Sequence, residues 1–160
     1  MKRKLLLVLY LLLLLSCFSY SRVSQTETYA SSSSPVHNFN TGLNYTTIQE
    51  AINDNDTLNG QTILVSHGTY YENVVVNKSL TLIGESMGNT IVDGNGTGPA
   101  FIVTAQNVTL INLTATNAGC PREYTGFSNS SSPAEAILLN GTSYCLIECV
   151  KTSRNNFGIY

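Results

Sequence analysis

Charge is scarce in this chain, and positive charge is scarcest. Only 11% of the 160 residues are charged, with eight Lys and Arg against ten Asp and Glu. Three of the basic residues, Lys2, Arg3 and Lys4, stand at the very start. Without them five basic residues face ten acidic ones, a balance of about −5 that argues against nucleic acid as a partner. Histidine is limited to His37 and His67, each without ligand-type neighbours in the sequence, so neither a metal site nor a cofactor is expected. Aspartate is limited to Asp54, Asp56 and Asp93. The first two open a run like a calcium loop, but Leu58 takes a ligand place and no glutamate closes it.

Long apolar runs are absent with one exception, Leu5 to Leu15. That run is short for a bilayer span, follows the Lys2–Lys4 cluster and precedes the small residues Ser19 and Ser21. Residues 1–21 therefore read as a secretory signal peptide, with an uncleaved anchor as the alternative. Leu14-Leu15-Ser16-Cys17 is also similar to a lipobox, which would make Cys17 a lipidation site. Membrane contact is expected only through this leader or such a lipid. Once Cys17 leaves, Cys120, Cys145 and Cys149 remain, an odd number. In an extended run Cys145 and Cys149 would lie about 13 Å apart, beyond disulfide reach. Cys149 reads instead as a small buried apolar residue.

Residues 22–38 are rich in Ser, Thr and Gln, end near Ser31-Ser32-Ser33-Ser34-Pro35, and read as a flexible linker. From 39 to 160 the pattern changes. Thr47-Ile48-Gln49-Glu50 has the form of a capping box, with Ile48, Ala51 and Ile52 on one helical face. Short β-branched runs follow at Thr62–Ser66, Val74–Asn77, Leu80–Ile83 and Thr90–Asp93, with turns rather than helices between them. This excludes βαβ units and points to an all-β solenoid, a right-handed single-stranded parallel β-helix capped by the short helix.

Internal similarity sets the expected coil. Leu80–Ile83 matches Val108–Ile111 at an offset of 28, and Phe101–Val103 matches Ile137–Leu139 at 36. Val108–Thr114 matches Tyr144–Val150, also at 36, which puts Tyr144 in an inward slot and stacks Gly84, Asn112 and Glu148 in one column. Leu82, Leu110 and Leu146 would then lie one above another. The step from Ile137 to Ile159 suggests a bare coil of 22 residues, the excess of the long coil falling in the loop from Gly119 to Pro133. The chain stops at Tyr160 in mid-coil, so the domain is expected to be incomplete at its C-terminus.

Sequons occur at Asn44, Asn55, Asn77, Asn95, Asn107, Asn112, Asn129 and Asn140. All are glycosylation candidates except Asn112, whose place in a stacked turn leaves little room.

Tyr45-Thr46-Thr47-Ile48-Gln49-Glu50-Ala51-Ile52, Gly68-Thr69-Tyr70-Tyr71-Glu72, Leu82-Ile83-Gly84 and Thr90-Ile91-Val92-Asp93-Gly94 together resemble the opening of the pectin-lyase-like right-handed parallel β-helix superfamily. Pectin methylesterases and the NosD-like, carbohydrate-binding β-helix proteins share this opening. The resemblance runs from Asn44 to Tyr160 and implies the fold. For esterase activity it implies a glutamine oxyanion donor where this chain has Glu135, and a general acid/base aspartate where it has Asn156 or Phe157. An ionised carboxylate cannot donate to an oxyanion, and neither Asn nor Phe exchanges protons at neutral pH. No catalytic residue is assigned.

Glycoside hydrolysis would need two facing carboxylates, for which Glu135 and Glu148 are the only pair in neighbouring coils. Tyr70, Tyr71, Tyr124, Phe127, Tyr144 and Tyr160 are candidates for stacking on sugar rings. Of these, Tyr124 and Phe127, with Glu135 beside them, are the expected carbohydrate contacts. The expectation is thus a secreted or cell-surface β-helix that recognises an extracellular polysaccharide or surface glycan without catalysis, or serves as a surface scaffold. The alternatives are a pectinesterase- or pectate-lyase-like enzyme whose active site lies beyond Tyr160, and a structural envelope glycoprotein.

Overall fold

The computed structural model describes residues 35–119, 135–155 and 157–160. Within them β1 (Val36–Asn38) pairs antiparallel with β2 (Asn44–Tyr45) and with β3 (Thr62–Val65), and α1 (Ile48–Asn53) intervenes in sequence. Four coils of three strands follow. The first is β3, β4 (Gly68–Tyr71) and β5 (Val74–Val76); the second is β6 (Thr81–Gly84), β7 (Thr90–Asp93) and β8 (Phe101–Val103). The third is β9 (Thr109–Ile111), β10 (Thr114–Thr116) and β11 (Glu135–Leu139); the fourth is β12 (Leu146–Glu148), β13 (Lys151–Ser153) and β14 (Phe157–Ile159).

Corresponding strands of successive coils pair in parallel, giving three sheets: β12-β9-β6-β3-β1-β2, β13-β10-β7-β4 and β14-β11-β8-β5. This is a parallel β-helix. Its coil order accords with the right-handed sense that parallel crossovers adopt almost without exception.

Alternation along each short strand fills the interior. Ile63, Leu82 and Leu110 stack in the first sheet, Tyr70, Val92 and Ala115 in the second, and Val74, Phe101 and Ile137 in the third. All are buried. These columns belong to one buried cluster, so the core is continuous along the axis although each coil alone is thin.

The offsets of 28, 36 and 22 hold, as Thr81 pairs with Thr109, Phe101 with Ile137, and Ile137 with Ile159. The third match does not. Leu146 pairs with Thr109 and Ile147 with Leu110, an offset of 37. The connection from β11 to β12 holds one residue more than that from β8 to β9, and Gly141 in it has φ 65°. Since side chains alternate, this one-residue difference inverts the faces. Leu146 is half exposed rather than stacked on Leu110, and Tyr144 is 84% exposed rather than inward. Cys149, read as buried, is exposed and takes the place of Asn112, so the corner column is Gly84, Asn112, Cys149 and not Glu148. Asn107 and Asn112 adopt φ 54° and 56°, and Tyr144 and Cys149 repeat these at 57° and 51°. Asn tolerates the left-handed region better than Tyr or Cys does, so the fourth coil keeps the corner geometry at some backbone cost.

The near end is closed in three ways. β1 and β2 cover the edge of the first sheet, which corrects the linker boundary: Val36 is fully buried and His37 lies in β1, bonded to Asn44. Buried Asn38 satisfies its amide on Thr57, Gln61, Asn40 and Thr41. Gln49 of α1 exchanges hydrogen bonds with both the N–H and the carbonyl of Val75, occupying part of the open edge of β5 as a neighbouring strand would.

The helix itself starts as expected. Thr47 Oγ1 accepts from Glu50 N, and Glu50 Oε2 accepts from Thr46 N, the Thr46 hydroxyl and Thr47 N. The Thr46 hydroxyl, chiefly, holds the Glu50 carboxyl below its usual pKa. A lowered carboxyl pKa means that this contribution is present above the unfolded pKa and lost as pH falls through the folded one. Glu72, in the turn after β4, accepts Ile48 N on one carboxylate oxygen and Gln49 N on the other, both at 3.0 Å. It clamps the cap to the first coil.

Candidate functional site

The outward side chains of the second sheet form two rows across the four coils. Register aligns Thr69, Ile91, Thr114 and Lys151 in one, and Tyr71, Asp93, Thr116 and Ser153 in the other. With Met87 and Gly88 from the loop before β7, and with Arg154, they line a groove of about 540 Å3. That volume suits a small-molecule or oligomer segment. The strand spacing of about 4.8 Å makes the rows roughly 14 Å long from first coil to fourth.

The floor is hydroxyl-rich and well ordered by its own bonds. Thr114 Oγ1 donates to the Met87 carbonyl at 2.6 Å, and Thr116 Oγ1 to the Ser153 carbonyl at 2.7 Å. Asp93 Oδ1 accepts from Asn117 Nδ2 and Asn95 N, both at 2.8 Å, so this carboxylate is engaged in the turn after β7. At one end Tyr71 is 70% exposed, an aromatic face open to solvent. At the other end stand the exposed cations Lys151 and Arg154.

A second concavity, about 470 Å3, lies on the first sheet over Leu64, Ile83, Gly84 and Asn112, with Glu85 its only charge. Glu85 is held by the backbone N–H and ring of His67, the N–H above all, which lowers its pKa. Its floor is aliphatic, and it brings no aromatic or cation together. Among the described residues no three His, Cys, Asp or Glu side chains cluster as a metal site would require.

The expected carbohydrate contacts fare unevenly. Tyr124, Phe127 and nearly all of the Gly119–Pro133 loop lie outside the described residues, as do Cys17, Asn129 and Asn156. Glu135 opens β11, is buried, and pairs in register with Phe157 of β14. Tyr70 is buried, its hydroxyl donating to the Ser66 and Pro35 carbonyls, and is core rather than platform. Lys151 and Arg154 were not foreseen, because their direction depends on the 37-residue register.

The sequon asparagines have a pattern of their own. Asn44, Asn55, Asn77, Asn95, Asn107 and Asn140 are exposed, whereas Asn112 is half-buried in its corner. Asn77, Asn107 and Asn140 lie in the β5–β6, β8–β9 and β11–β12 connections, which all turn the chain from the third sheet to the first. That is the one corner not bordering the second sheet.

No family model matches this chain. A 74-residue stretch, 46% of the chain, is 45% identical to a cell surface glycoprotein of Methanothermus fervidus, and spans 12% of that protein's length. A pectin methylesterase crystallised with a hexasaccharide aligns over 67% of this chain and 43% of its own, with 18% identity and a TM-score of 0.42.

Proposed function

We propose that this chain is part of an exported β-helix protein of the cell surface that recognises glycans without acting on them, through the groove of the second sheet. The observation that carries the reading is the groove itself, where an open aromatic, a hydroxyl floor and two cations share one face. Sugar rings present C–H faces to such an aromatic and hydroxyls to such a floor. The basic, apolar leader and the printed name of the Methanothermus relative support a surface location. The resemblance adds support, since it would put a glutamine donor at Glu135 and a proton-exchanging aspartate at Asn156 or Phe157, and none of these residues has that chemistry.

Affinity electrophoresis of the secreted full-length protein through gels of neutral and acidic polysaccharides tests this. Retardation by at least one polymer, weakened by Tyr71→Ala, is expected. Unretarded migration in all of them would refute recognition.

A second reading, a structural glycoprotein of the envelope, draws on the corner shared by Asn77, Asn107 and Asn140. Glycopeptide mapping of protein secreted from a host with N-glycosylation is expected to find sugar at Asn77 and Asn140 and none at Asn112. Bare asparagines throughout would count against it.

A further inference from the structure

We infer that the outer face of the first sheet is a contact for a second copy of this chain, packed face to face with the two solenoid axes antiparallel. The inference does not depend on glycan recognition, and it leaves the second-sheet groove uncovered in both copies. Register places His37, Leu64, Ile83, Ile111 and Glu148 in one outward row across five strands. The row is aliphatic at its centre, with an imidazole at one end and a carboxylate at the other. Beside it run Thr62, Thr81, Thr109 and Leu146, extended by Phe39, whose N–H donates to the Thr62 carbonyl at 2.9 Å. Phe39 is 68% exposed and Leu146 50%, so each end of the threonine row carries an open apolar side chain.

Both rows are self-complementary under one two-fold axis that runs parallel to the strands and passes over Ile83 and Thr81. Ile83 and Thr81 then meet their own copies, Leu64 meets Ile111, and Thr62 meets Thr109. At the ends His37 meets Glu148, and Phe39 meets Leu146. His37 Nδ1 is bonded to Asn44 Oδ1 at 2.8 Å, which leaves Nε2 for that carboxylate. Parallel axes would instead set Glu148 beside Glu148, a like-charge contact. Glu85, at the corner beyond Ile83, leans back to His67 of the first coil at 2.9 Å, so the two copies' carboxylates diverge from the axis. The second sheet lacks this symmetry, since its rows run from Tyr71 to Ser153 and from Thr69 to Lys151. The self-complementary face measures about 19 Å by 13 Å, or about 250 Å2 per copy, against the roughly 800 Å2 of a stable complex. The dimer is therefore weak in dilute solution and forms more readily where copies are held close together.

Sedimentation velocity of the secreted full-length protein tests this, with a host lacking N-glycosylation because the sequon Asn44 adjoins His37. A monomer–dimer equilibrium with a dissociation constant of about 0.1–1 mM is expected. Ile83→Glu sets two carboxylates on the axis and is expected to weaken the dimer about tenfold or more. Ile102→Glu, the same change at a half-buried outward position of the third sheet, is expected to leave it unchanged. Unfolding midpoints of both variants are measured alongside. His37→Glu and Glu148→Lys test the orientation without touching the apolar centre. Each alone removes the complementary contact at both ends and is expected to weaken self-association about threefold. Their mixture is expected to recover it, since the new acid of one copy meets the new base of the other. A monomer at all concentrations up to about 1 mM leaves the face to another occupant and overturns the inference. So does a dimer indifferent to Ile83→Glu, or a mixture that associates no more tightly than the single variants.

Discussion

Gly84→Ala is expected to lower the unfolding free energy by about 3 kcal/mol or more, the upper end of what overpacking costs. Gly84 ends β6 and is buried at the corner between the first and second sheets. A Cβ there would run into the backbone carbonyl oxygen of Asn112 in the next coil, with the Asn112 carbonyl carbon at 3.0 Å and Thr90 Cβ at 3.1 Å. The obstacle is backbone already bonded into the ladder, since Asn112 N donates to the Glu148 carbonyl. Neither side can swing away as a flexible side chain would. Relief requires the second and third coils to separate locally, and the columns of the core with them. Gly88→Ala is the matched control: a Cβ there meets nothing within 4 Å, and the expected change is near zero. Denaturant titration of both variants measures the difference, and a Gly84→Ala protein as stable as Gly88→Ala would contradict the close corner.

Glu72→Ala is the second large effect. The carboxylate receives two N–H groups at the start of α1, where the helix has donors without intrahelical partners. Hydrogen bonds to a charged group contribute roughly 1.5–3 kcal/mol each, and partial exposure of Glu72 reduces this, so a loss of about 3 kcal/mol is expected for the pair. Glu72→Gln keeps one acceptor and turns an N–H toward the other donor, so it should fall between. The consequence extends past the helix, because Gln49 is held by Glu72 through its backbone and covers Val75 through its side chain. Freed, α1 would expose the edge of β5 and the apolar faces of Ile48, Ala51 and Ile52. Amide exchange of Val75 should accelerate in Glu72→Ala while that of Leu110 follows only the change in global stability. Protection of Val75 unchanged relative to Leu110 would argue that the cap holds without Glu72.

The solenoid was legible because its grammar is local. A capping box, β-branched runs and turns without helices between them leave few other folds, and α1 lies where Thr47 and Glu50 put it. The inward stacking of Leu82 on Leu110 followed from the internal match, and both are buried. What was not legible was the fourth coil's register. Leu146 resembles Leu110 more than Ile147 does, so matching by residue type favours an offset of 36. The backbone instead spends one more residue in the Asn140–Cys145 connection and sets Ile147 over Leu110. Residue similarity counts side chains, whereas stacking depends on turn length. That single residue decides which way Lys151 points, and hence whether the second sheet carries a cationic groove. Tyr71 was among the aromatics named from the sequence, but its partners across the coils were not. β1 was obscured differently: Val36 alone gives no periodicity, and its burial comes from pairing with Val65, far along the chain.

One measurement bears on all of this. In a Thr109→Cys/Leu146→Cys variant that retains Cys145 and carries Ser at 120 and 149, a short thiol cross-linker can join residue 109 to either of two adjacent positions. Thr109 and Leu146 are register partners on the outer face, whereas Cys145 follows the connection one residue earlier. Peptide mapping should recover the 109–146 link as the dominant product, as stacking Lys151 beside Thr114 on the open face requires. A dominant 109–145 link would turn Lys151 into the core and take the proposed recognition face away.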